Sequence, residues 1–144
     1  MKARMAFGLL VVMSILALPA FAGGKADLRK YFSDAAVRVQ ATANPAEKRE
    51  ILNESFIRMC MALEVAQSLP LLSKEDSTGL ARFKATIMEK QNELAGLNGY
   101  VRVSDTQLNA FSSYVVQDME QADEVITISL VTLLIVVLVV LLIL

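Results

Sequence analysis

The 144-residue chain has no histidine and no tryptophan, and its one cysteine is Cys60. Without histidine there is no Ser–His–Asp or Cys–His arrangement, and the commonest general base and metal ligand is absent. One cysteine cannot build a thiolate zinc site, a two-cysteine haem attachment or an internal disulfide. The six glycines are scattered and none precedes a Lys-Ser or Lys-Thr pair, so there is no phosphate-binding loop. These absences point to a protein without catalytic activity, cofactor or bound metal.

Charge is missing from both ends. Met5–Leu18 carries none, and neither does the stretch from Ile126 to Leu144. The first block reads as a secretory signal. Lys2 and Arg4 form a basic start, "FGLLVVMSILAL" is the apolar run, Pro19 breaks it, and Ala20-Phe21-Ala22 supplies the small residues of a cleavage site after Ala22. The run is shorter than the ~20 residues a membrane span needs, which favours removal of residues 1–22 over retention as a second span. Removal takes two of the 14 basic residues, leaving 12 against 15 acidic ones. With no basic excess to release counterions from phosphates, nucleic acid is not an expected partner.

The second block has no charge over 19 residues, which as a helix is ~28 Å long against a hydrocarbon thickness of ~30 Å. Its only polar side chains, Thr127, Ser129 and Thr132, can bond back to helix carbonyls at little cost in lipid. Ser129 and Thr132 also share a face on which small polar residues help helices pair. Residues 125–144 are therefore expected to form a single C-terminal transmembrane helix in contact with lipid. The exported domain, residues 23–124, would lie on the periplasmic or extracellular side, with the C-terminus at the cytoplasmic face. Asp118, Glu120, Asp123 and Glu124 would form an acidic collar outside the membrane, though acidic residues set topology only weakly. Lys25, Arg29 and Lys30, close behind the cleavage site, argue mildly against export. A glycolipid-anchor signal, with "NAFSS" at 109–113 as attachment site, is the lesser alternative.

Between the blocks the sequence reads as helix. Leu28, Phe32, Ala35 and Val39 mark a helix over about 26–42. Asn44 is a good N-cap and Pro45 fits the first helical position, so a second helix runs from Pro45 to about Leu69, after either a turn or a kink. It bears two apolar stripes: Leu52, Phe56, Met59, Leu63 and Ala66, and Ile57, Met61 and Val65. "SKED" at 73–76 resembles a capping box and opens a third helix, to about Leu97. Leu80, Phe83, Ile87, Leu94 and Leu97 keep near-heptad spacing there, with Lys90 in a slot where an apolar residue is expected. Ser104 and Gln107 form a second capping box, Val103 and Leu108 a hydrophobic staple. No Gly or Pro follows Ser104, which predicts one helix of about 40 residues passing straight into the membrane. The expected fold is all-α: an up-and-down bundle of three to four helices whose last helix continues into the membrane.

Met59, Cys60 and Met61 could suggest a copper carrier, but neighbours on a helix point about 100° apart, so the three sulfurs do not converge. Met59–Leu72, in which Glu64 is the only charge, is the candidate partner surface, with Met59, Met61, Val65, Leu69 and Leu72 as its anchors. The same residues also suit a bundle core. Cys60 is either a small buried residue or an intermolecular thiol joining two chains. The function expected is that of an interaction protein, a subunit, adaptor or scaffold of a membrane or envelope complex with a protein partner or its own copy. The rival is a sensory bundle that holds a small apolar ligand between helices.

Overall fold

The computed structural model describes residues 24–125 and 128–143. They form five helices and no strand: α1 (Gly24–Ala41), α2 (Pro45–Gln67), α3 (Lys74–Ala95), α4 (Leu108–Val125) and α5 (Leu130–Ile143), with a 3-10 turn at Asp105–Gln107 ahead of α4. The expected signal peptide lies outside the described residues.

Local chemistry sets the boundaries. The side-chain oxygen of Asn44 accepts from the Ala46 N–H at 2.9 Å while Pro45 begins α2, so Asn44–Pro45 is a true turn and α1 and α2 are separate helices. Ser73 Oγ accepts from the Asp76 N–H at 3.1 Å and starts α3. α3 stops at Gly96, earlier than its apolar spacing predicts. Gly96 has φ +73°, and a Cβ there would lie 2.8 Å from the Arg102 backbone nitrogen, so the returning chain leaves room only for glycine. Leu97, one place beyond, is exposed.

The capping box expected at Ser104 does not form. Ser104 makes no side-chain cap; its carbonyl accepts from the Gln107 N–H at 3.0 Å and its hydroxyl meets Thr106 at 3.2 Å. Arg49 organises this corner instead. Its guanidinium donates to Asp105 Oδ1 at 2.8 Å and to the carbonyls of Val103 and Leu94. One side chain of α2 thereby fixes the end of α3 and the start of α4.

α1 to α4 run up and down, as the short connections require. Arg29 pairs with Glu120, and Gln40 bonds Ser113, so α1 and α4 are antiparallel. Lys84 pairs with Glu64, and Gln67 reaches the Ser77 carbonyl, which sets α3 against α2. Leu28, Phe32 and Val39 meet Leu52, Phe56, Met59 and Leu63, with Leu80, Phe83 and Ile87 from α3 and Leu108, Phe111, Val115 and Met119 from α4.

The single long helix expected from Ser104 onward is broken. α4 ends at Val125, Ile128 and Ser129 are not helical, and α5 begins afresh at Leu130. Val125 to Ile128 are four consecutive β-branched residues, which lowers helix propensity, and Ser129 then supplies a new cap. α5 lies back against α2 and α1, antiparallel to α2, and adds Leu133, Val136, Val137 and Val140 to the same core. Among the described residues no helix is long and apolar enough to cross a membrane.

Candidate functional site

α5 is built from Leu, Val and Ile, with Thr132 its one polar residue. Its inner face is buried against α1 and α2. On the outer face Leu134 and Leu138 are half-buried, Leu141 is exposed, and Leu142 is 65% exposed. A helix resting on a water-soluble bundle ordinarily turns polar residues outward; one that is apolar all round belongs in a core or in lipid.

The start of α5 is its only polar part. Ser129 Oγ accepts from the Thr132 N–H at 3.3 Å and the Ser129 carbonyl from the Leu133 N–H at 3.1 Å, the bonds of an N-cap. Asp76, in the first turn of α3, reaches across to the same cap. Its Oδ1 accepts from the Ser129 N–H at 2.8 Å, and its Oδ2 from the Ser129 and Thr132 hydroxyls at 2.7 and 2.8 Å. A carboxylate at a helix N-terminus is favoured by the unpaired N–H groups and the helix dipole. The hydroxyl and N–H of Ser129, with help from Thr132 and Ser73 and against partial desolvation, hold the Asp76 carboxyl below its ordinary value. Ser129 and Thr132 thus engage an acid of the bundle.

The candidate partner surface divides. Met59 is fully buried, Leu69 and Leu72 are half-buried, and Met61 and Val65 are exposed. Met61 also lines a groove between α2 and α3 of about 270 Å³, together with Ile57, Cys60, Met88 and the Lys84–Glu64 ion pair. Cys60 is half-buried there, and burial pushes its thiol above the ordinary value, which leaves little reactive thiolate. Between α1 and α2 lies a smaller hollow of about 120 Å³ walled by Asp34, Arg38, Glu54 and Arg58. Tyr31 closes its floor by donating to the Ser55 carbonyl at 2.7 Å, and burial pushes the Tyr31 hydroxyl up to about 12.

The acidic collar also divides. Asp118 faces Lys90, which is 2% exposed and bonds Asp118 at 2.7 Å, Glu93 at 2.9 Å and the Tyr114 hydroxyl at 2.8 Å. Burial opposes the charge on Lys90, but these three partners outweigh it and hold the ammonium above its ordinary value. Glu120 pairs with Arg29; the side chains of Asp123 and Glu124 lie outside the described ones. Heptad spacing located the Lys90 slot and Glu93 is its local partner at i+3, but Tyr114 and Asp118 come from 24 and 28 positions away and have no local sequence signal. Among the described residues no group of three or more Cys, Asp or Glu side chains could hold a metal ion.

The fold and this site define an antiparallel helical bundle that carries an apolar fifth helix on its flank. No family model, curated protein or solved structure matches the chain.

Proposed function

We propose that the protein is an exported, non-catalytic interaction module that works at a membrane, as a subunit, adaptor or scaffold of a larger complex. The observation that carries this reading is that α5 is apolar on both faces, so its outer Leu134, Leu138, Leu141 and Leu142 call for an apolar surrounding. A lipid bilayer meets that need. The uncharged segment from Ile126 reaches ~28 Å as a continuous helix, enough to anchor the chain with its bundle outside and its last residues at the cytoplasmic face. The exposed Ile57, Met61, Val65 and Met88 offer the surface for a protein partner or a second copy. The ligand-binding alternative has less support, because both hollows fall below the ~300 Å³ where small-molecule pockets usually begin.

Carbonate extraction tests the reading. The intact chain is expected to stay with the membrane pellet. Leu138→Arg places a charge on the outer face of α5 at a cost of about 3 kcal/mol in mid-bilayer, and is expected to move the protein to the supernatant with its helical content unchanged. An intact chain that washes off with carbonate removes the membrane from the account.

A further inference from the structure

We infer that α5 is a stored membrane segment with two resting places, the α1–α2 flank of the bundle and the bilayer, and that Asp76 is the latch favouring the first. This rests on the proposal that the outer face of α5 belongs with lipid.

A contact shifts an equilibrium between two placements only if it exists in one of them. The Ser129 cap is internal to α5: the Thr132 N–H bonds the Ser129 hydroxyl in the docked helix and would bond the residue-128 carbonyl in a continuous one, so it is satisfied in either place. The apolar side chains are buried in either place, some against α1 and α2 and all of them in lipid. Asp76 is different. It sits on α3, 53 residues away in sequence from Ser129, and its three bonds to Ser129 and Thr132 exist only while α5 rests on the bundle. The joint suits the movement. Ile128 and Ser129 lie outside any helix, which separates α5 from α4. The docked position keeps an apolar helix folded against its own bundle, and the lipid position returns it to the orientation of a span.

Vesicle flotation of the chain without residues 1–22, the form that export is expected to leave, with phosphatidylcholine vesicles tests this, since a neutral lipid leaves charge attraction aside. Asp76→Ala is expected to raise the bound fraction relative to unbound about fivefold, the size of effect that follows loss of a helix cap. Asp76→Asn, which keeps one acceptor, gives a smaller rise. Glu75→Ala takes a carboxylate from the same turn of α3 without touching α5 and leaves binding unchanged. Circular dichroism on each variant separates release of α5 from loss of the fold. If the unaltered chain floats and Asp76→Ala floats no better, or Glu75→Ala matches it, the latch is wrong and the lipid reading stands. If none of the proteins floats, the lipid reading fails and takes the latch with it.

Discussion

Lys90 is the residue whose position is hardest to reconcile with its chemistry. A buried ammonium is costly unless paired, and here Asp118, Glu93 and the Tyr114 hydroxyl surround it while its nitrogen sits 4.1 Å from the centre of the Tyr114 ring. Such a group contributes little net stability when intact but much is lost when one partner goes. Lys90→Met is therefore expected to destabilise the bundle by about 3 kcal/mol, because Asp118 loses its counter-charge. The double variant Lys90→Met, Asp118→Leu should recover most of that loss. Urea unfolding of the single and double variants measures both; a single variant as stable as the parent would show that the cluster carries no such penalty. The heptad spacing of α3 made the Lys90 slot visible, since the stripe continues through it. Why a charge could occupy it was only partly visible: Glu93 lies three residues on, but Asp118 and Tyr114 lie on α4.

At the scale of the element, helix starts and stops account for most of what the sequence revealed. Asn44-Pro45 and Ser73 mark starts that the structure keeps, and the buried stripes of α1 to α4 follow the apolar spacing closely. The errors fall where the deciding partner is distant. Ser104 is drawn into a 3-10 turn because Arg49 of α2 claims the neighbouring carbonyl and carboxylate. The end of α3 at Gly96 depends on the approach of Arg102. Gly96→Ala is accordingly expected to cost about 1 kcal/mol or more, from the positive φ together with the 2.8 Å approach, and to lower the melting temperature without changing helical content. An unchanged melting temperature would mean that the 96–104 loop reshapes freely. The break before α5 carried a signal too, in its β-branched run and in Ser129, but neither is as plain a stop as Gly or Pro.

For the whole molecule, an all-α bundle of three to four helices was legible; whether Asn44-Pro45 was a turn or a kink, and where the fifth helix lies, were not. Composition shows that residues 126–144 avoid water; it does not say whether lipid or the flank of the bundle shields them. The groove between α2 and α3 is the other apolar surface of this scale. Met61→Glu combined with Met88→Glu places two carboxylates on its exposed walls, where large effects on folding are not expected. The double variant should keep its melting temperature within about 2 °C and lose any larger assembly that the parent forms in mild detergent. Mass measurement of the two proteins after extraction decides the matter: an assembly that survives both charges does not use this groove.

The Lys90 cluster also has a mechanical side. Asp118 stands seven residues before the end of α4, and Lys90 holds it to the C-terminal third of α3. If the tail is anchored in lipid as proposed, tension on it would run back along α4 and meet that contact in shear, with the Lys90 side chain only 2% exposed.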